Sequence, residues 1–258
     1  MDKFIYKKAA GITALSASIT DFKYKKHCHM EYAIGVTLRG IQHYNLDGNL
    51  TLSYPNGVML FNPEQAHDGM AHDETGLDYV ILYIDPQLLL EASGKKDRIS
   101  FETPVVYDYT LEQRVLSLAN AILKEQEEAL CSELFISLTD TLTQTNLSTA
   151  ITKDNALINK AKDMLRSDLG NVLKLEEIST ELHLSKFQFI RLFKSHTGIT
   201  PYQYFLNCKI ERAKQLIDKH KDIYQAVTEC DFVDLTHLNK HFKKVYGLTA
   251  YEYMLHLN

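Results

Sequence analysis

The chain has 258 residues, 45% of them hydrophobic and 24% charged, which is the make-up of a globular protein with ample material for one large domain or two modest ones. A formal net charge of −5 by itself argues against a nucleic-acid partner, and the four scattered cysteines, Cys28, Cys131, Cys208 and Cys230, contain no C-x-x-C pair. Zinc fingers and disulfide frameworks are thereby disfavoured, and a reducing, cytoplasmic setting is expected.

The first element in the chain to need a decision is "AAGITALSASIT" (9–20). Its Thr and Ser residues make it a poor apolar core for a signal peptide. No run approaches the 18 or so apolar residues that a bilayer span requires, so no membrane partner is expected. Residues 1 to about 108 read as short strands broken by turns: "EYAIGVTLRG" (31–40), "HYNLDGNLTLSYPNGVMLFNP" (43–63) and "LDYVILYID" (77–85) are rich in Tyr, Val, Ile, Thr and Leu. Asp47-Gly48, between alternating apolar flanks, predicts a tight hairpin, because both central positions must tolerate positive φ. Strands at this spacing without intervening helices predict a small sandwich or barrel.

The period then changes. Leu111, Val115, Leu118 and Ile122 step by 4, 3 and 4, and Leu130, Leu134, Leu138 and Leu142 step by 4 throughout. Two amphipathic helices are predicted, parted near Glu127–Ala129. They either cover an open side of the β-domain or form a dimer seam in which the leucine row takes part. The polar stretch "QTNLSTAITKDN" (144–155) reads as a linker. Helices are predicted beyond it at 155–168, 175–182, 185–196, 201–219, 222–230, 234–245 and 249–256, with Ser185 and Thr200 as N-caps and Pro201 in a first turn.

This helical region writes a single phrase twice. "FKSHTGITPYQY" (193–204) returns forty-nine residues later as "FKKVYGLTAYEY" (242–253), with six of twelve positions identical. "LEEISTELHLSKFQFIRLF" precedes the first copy and "IYQAVTECDFVDLTHLNKHF" the second, with the register shifting by one residue in the turn. Each copy reads as short helix, tight turn, second helix and a stopping glycine, Gly198 or Gly247. Two copies are too few for a solenoid, whereas a pair of helix-turn-helix units suits them. Charge is distributed accordingly: residues 154–258 hold 15 Lys+Arg and 13 Asp+Glu, the remainder 13 and 20, and six of the eleven histidines lie in the C-terminal half.

These stretches, from "SKFQFIRLFKSHTGITPYQYFLNCKIERAKQLI" through "DIYQAVTECDFVDLTHLNKHFKKVYGLTAYEY", resemble the AraC/XylS family of bacterial transcription regulators over about 100 residues. The resemblance implies recognition helices at 185–196 and 234–245, joined by a long helix from Pro201 to Lys219. Two positions depart from the family pattern: Asp231 stands where a glycine is usual, and Ala250 where a proline is usual. Helical spacing turns Phe189, Leu192, Phe193, Leu238, Phe242 and Val245 inward. Phe187, Gln188, Ile190 and Arg191, with Leu235, Thr236, His237, Lys240 and His241, are left as candidate base contacts. Lys186, Lys194, Lys243 and Lys244 flank them as candidate phosphate contacts.

"HCHMEY" (27–32) and "PNGVMLFNPEQAH" (55–67) likewise resemble the two cupin motifs expected of that family's effector domain. Strand alternation would put His27, His29 and Glu31 on one face, where His67 could complete a metal site. Metal-binding cupins carry a glutamate further on, where this chain has Ala33 and Ile34, so no metal cofactor is assigned. A metal, a small organic effector and a silent scaffold remain three readings of the domain, the organic effector leading. Tyr24, Tyr32, Arg39 and His43 join the histidines and Glu31 as candidate pocket residues.

The expectation is an α+β two-domain protein. A cupin-like β-barrel or sandwich (1–109) is followed by a helical dimerisation or packing segment (110–146) and a linker (147–154). An all-α domain of two helix-turn-helix units (155–258) ends the chain. It would regulate transcription by binding double-stranded DNA under a small-molecule effector, as a homodimer, with RNA polymerase as a candidate contact. The alternative is a metal-dependent cupin enzyme carrying a DNA-binding tail.

Overall fold

A computed structural model describes residues 2–95, 97–144 and 155–256, so the expected linker at 147–154 lies outside the described residues. The chain forms two compact units, Met1–Lys23 with His29–Ala150 and Tyr24–Cys28 with Ile151–His256. Among the described residues no helix is long and apolar enough to cross a membrane.

The described residues include ten strands, nine before the first helix and the tenth after it. They are β1 (Lys3–Ala9), β2 (Ile12–Ile19), β3 (Lys23–His27), β4 (Tyr32–Arg39), β5 (Gln42–Leu46), β6 (Asn49–Ser53), β7 (Val58–Phe61), β8 (His67–Ala71), β9 (Leu77–Ile84) and β10 (Val105–Val106). A six-stranded sheet runs β1-β2-β9-β4-β7-β10 and a four-stranded one β3-β8-β5-β6. The predicted hairpin joins β5 to β6: Leu46 stands opposite Asn49, with Asp47 at φ 50° and Gly48 at φ 85°. The stretch at 9–20 belongs to a second hairpin, β1 to β2, in which Ala9 stands opposite Ile12.

The middle of the six-stranded sheet is buried on both faces, and alternation sorts its side chains. Tyr32, Ile34 and Val36 of β4, with Ile12 and Ala14 of β2 and Val80, Leu82 and Ile84 of β9, join the core under the helices. The other face meets the four-stranded sheet. Thr37 Oγ1 lies 2.8 Å from Ser53 Oγ, and the Tyr44 and Phe61 rings are 5.0 Å apart. Alternation puts residue 35 on that second face, and it is glycine because a Cβ there would lie 2.5 Å from the Val80 carbonyl oxygen.

Three helices cover the first face: α1 (Pro86–Ser93), α2 (Tyr109–Leu123) and α3 (Glu128–Gln144). Asp85 caps α1, with Pro86 in its first turn, and Asp108 caps α2 through the Leu111 amide. Leu111, Val115, Leu118 and Ile122 are all buried in the shared core, as their spacing predicts. The leucine row of α3 divides: Leu138 and Leu142 are fully buried in the core of the same chain, Leu134 packs at its edge, and Leu130 is 42% exposed. The row as a whole is therefore not a seam. Its C-terminal half is ordinary core.

Among the described residues seven helices follow: α4 (Ala156–Ser167), α5 (Leu175–Glu181), α6 (Lys186–Thr197), α7 (Pro201–His220), α8 (Ile223–Glu229), α9 (Leu235–Tyr246) and α10 (Ala250–His256). The repeated phrase is a stop followed by a start. Gly198 and Gly247 close α6 and α9 in the left-handed conformation, at φ 74° and 80°. Thr200 then opens α7 in a reciprocal capping box with Gln203. Thr249 and Glu252 exchange the same pair of hydrogen bonds at α10. Tyr204 and Tyr253, the last letters of each phrase, are buried.

The divided leucine row can be tested by stability. Leu138→Glu puts a charge into a filled apolar site and should abolish cooperative unfolding or remove several kcal/mol, on the order of 3–5. Leu130→Glu should change the stability of the single protomer, measured at high dilution, by no more than about 0.5 kcal/mol. Chemical denaturation of the two variants measures the contrast.

Candidate nucleic-acid interface

In each helix-turn-helix unit the second helix is aimed by the turn before it. After α5, His183 adopts φ 54°; its amide donates to the Thr180 carbonyl at 3.0 Å, and the Leu184 amide donates to Ser179 at 2.9 Å. After α8, Asp231 adopts φ 49°; its amide donates to Thr228 at 3.3 Å, and that of Phe232 to Val227 at 3.0 Å. Both turns are the same paired 5→2 and 6→1 closure, built on a non-glycine left-handed residue. Asp231 thus makes the turn itself, in the place where a glycine is usual. Lys209, whose side chain is only 8% exposed, lies 3.4 Å from its carboxylate.

The one-residue shift between the copies now has an address. Ser185 directly follows Leu184 as the N-cap of α6, whereas Val233 stands between Phe232 and Asp234, the N-cap of α9. Val233 is 86% exposed, so the extra residue is accommodated outward and the buried framework keeps its match.

On α6 the buried face is Phe189 and Phe193, with Ile190 and Leu192 half-buried beside them. Phe187, Arg191 and Lys194 are exposed. Two other candidates are engaged inside the molecule. Gln188 accepts from the Ser185 amide at 2.9 Å as the return half of a capping box, and Lys186 pairs with Glu176 at 2.5 Å. That ammonium holds the Glu176 carboxyl below the usual carboxylate range.

On α9, Leu238, Phe242 and Val245 are buried and Leu235 is half-buried. Thr236, Lys240 and Lys243 are exposed, and Lys244 is half-buried. His237 packs its ring against Phe232, with centroids 5.5 Å apart, and against His241 at 4.8 Å. Burial, then the nearby Lys244, His237 and Lys240, pushes His241 down to about 4.

The candidate pocket residues in the β-sheets separate. His27, His29 and His67 are all buried; the His29 and His67 rings lie with centroids 5.5 Å apart and could offer imidazole nitrogens to a borderline dication such as zinc. His67 Nδ1–H donates to the Gln65 carbonyl at 2.8 Å, which leaves the lone pair on Nε2, and desolvation lowers its pKa. Glu31 is absent from this group because β3 ends at His27, so strand alternation does not carry through to it. Tyr24 lies beside His27, ring centroids 5.8 Å apart. The other three point elsewhere. Tyr32 faces the helix-covered core and donates to the Ile99 carbonyl; Arg39 is exposed and paired with Asp78 at 2.6 Å; His43 sits on the opposite face of β5 from buried Tyr44, beside His72.

Comparison with known proteins follows the same division. Residues 9–139 match the model of the AraC-like ligand binding domain, and residues 178–255 match a helix-turn-helix domain model. An uncharacterized HTH-type transcriptional regulator of Bacillus subtilis, YbfI, is 25% identical over 224 residues, covering 84% of this chain and 82% of that protein. The MmsAB operon regulatory protein of Pseudomonas aeruginosa is 37% identical over 90 residues, which span 34% of this chain and 29% of the relative. Among solved structures, wild-type ToxT of Vibrio cholerae bound to an unsaturated fatty acid aligns with a TM-score of 0.61 at 13% identity, over 100% of this chain and 95% of that one.

The depressed His241 has a pH signature. Above its ordinary value near 6.5 both folded and unfolded chains hold it neutral; as pH falls below that value the unfolded chain takes the proton first. The helical half should therefore lose stability between pH 6.5 and about 4, and His241→Gln should flatten that slope. Thermal melts across the interval, wild type against variant, decide it.

Proposed function

Because the chain belongs to the AraC family of transcription regulators, with a ligand-binding domain ahead of a helix-turn-helix DNA-binding domain, we propose that α6 and α9 enter successive major grooves on one face of a duplex. The observation that carries this reading is the paired exposure of Arg191 and Lys240 at equivalent positions of two recognition helices opened by matching turns. Groove centres one helical turn apart lie about 34 Å from each other, so the operator would contain two blocks roughly 10 base pairs apart. Arg191 and Lys240 donate to base edges, and Lys194, Lys243 and Lys244 hold backbone.

The β-domain acts as the sensor. A small organic molecule would bind near His29 and His67 and shift the protein between two states by its differential affinity for them. The ToxT structure with an unsaturated fatty acid supports this reading, as the same fold there accommodates an organic ligand. Elemental analysis of protein purified without nickel resin tests it; one equivalent of bound transition metal would replace the organic-effector reading with a metal one. Exposed Leu130 and Ile136 on α3 are the proposed contact between protomers of a cytoplasmic homodimer, with RNA polymerase as a further partner at the promoter. The reading contains no enzymatic step.

With the full chain, affinity for a selected duplex should fall steeply with salt as phosphate counterions are released. Arg191→Ala should cost about 1–3 kcal/mol and relax preference in one block only, while Lys243→Ala should weaken all sequences alike and lower the salt slope by about one. Selection of binding sites followed by salt titration reads both. A single contiguous block, or an Arg191→Ala protein with unaltered preference, would contradict the two-groove arrangement.

A further inference from the structure

The first two turns of the two recognition helices can be compared position by position from their N-caps, Ser185 and Asp234. The second helical position is Phe187 in one and Thr236 in the other, and both are exposed. Phe187 keeps 68% of its surface in water and belongs to no core. The sixth position, one turn further along the same face, is Arg191 or Lys240.

Side chains suited to reading adenine are missing from these faces for a structural reason. Adenine is read by an amide that offers its oxygen and nitrogen together. Gln188 returns its amide oxygen to the Ser185 backbone, and Asn239 Oδ1 accepts from the Ala250 amide at 3.0 Å. Both amides hold helix ends. What each helix presents is a methyl or ring edge one turn ahead of a cation.

We propose that both units read the same chemical pair: a thymine C5-methyl, touched by Phe187 in one groove and by the Thr236 methyl in the other, within two base steps of a guanine held by Arg191 or Lys240. Apolar contact to the thymine methyl and cation donation to guanine O6 and N7 are the major-groove partners of these residue types. An i,i+4 pair spans about 6 Å of helix surface, against 3.4 Å per base step, which sets the spacing. The inference rests on the DNA-binding reading above and gives that site a base preference.

The test uses the full chain and a duplex selected from random sequence. Each thymine is replaced in turn by deoxyuridine, which removes the methyl and keeps the pairing. One thymine in each block, beside a guanine, should weaken binding about three- to five-fold on replacement, the worth of one buried methyl-sized group. Phe187→Ala should erase that sensitivity in one block only, and Thr236→Ser in the other only. Gln188→Ala should lower the melting temperature and leave base preference unchanged. A selected duplex indifferent to every uracil, a Phe187→Ala protein that keeps its sensitivity, or a Gln188→Ala protein with altered preference overturns this readout while leaving DNA binding intact. Failure to select any duplex overturns the readout together with the regulator reading.

Discussion

Two residues held at positive φ, His183 and Asp231, govern the direction in which α6 and α9 leave their turns. Neither is glycine, so each turn carries a backbone cost on the order of 1 kcal/mol. The surrounding structure must hold them there. It does so with the two closing hydrogen bonds in each turn and with an N-cap that immediately restarts the backbone. Loss of the left-handed conformation would swing the following helix, and with it every exposed side chain a groove could meet. The chemistry at the surface is therefore set by a pair of torsion angles beneath it.

The second turn has an additional support in α7. Lys209, Glu211 and Lys214 on this helix are all buried, an arrangement that needs partners. Lys209 approaches both the carbonyl and the carboxylate of Asp231. Glu211 accepts from the Tyr246 hydroxyl at 2.7 Å and has Lys214 at 3.8 Å. The long helix thus ties into the turn and into the end of α9 through polar contacts shielded from water. Contacts of that kind fix geometry more firmly than they add net stability.

The helical half was legible because its punctuation is chemical. Ser185, Thr200, Gly198 and Gly247 stop and start helices through local hydrogen bonds that need no tertiary knowledge, and the bounds fall within a residue or two. The β-half was legible only where alternation or a turn spoke. The hairpin at Asp47-Gly48 did so, whereas β8, written His-Asp-Gly-Met-Ala, carries no strand signal and is defined by its neighbour β5. The signals for α1 were present in Asp85-Pro86 and Gly94, and the surrounding strand pattern hid them. Among candidate site residues, type and spacing put Arg191 and Lys240 on the exposed faces of α6 and α9, where the structure has them. They could not reveal that Gln188 closes a cap, that Lys186 is held by Glu176, or that Arg39 is held by Asp78, since each depends on where a side chain turns.

The strand order β1-β2-β9-β4 also bears on how the chain comes into being. Thr13 of β2 stands opposite Tyr83 of β9, and β9 is the centre of the larger sheet. During synthesis the first hairpin must wait, with an unpaired edge, until β9 has been made. Such non-local pairing slows folding and leaves edges open to wrong partners. The C-terminal helices close in part on elements adjacent in the chain, such as α7 on α8 and α5 on α6. The pairing of β2 with β9 therefore leaves the nascent chain open to wrong strand partners until residue 84 has been made.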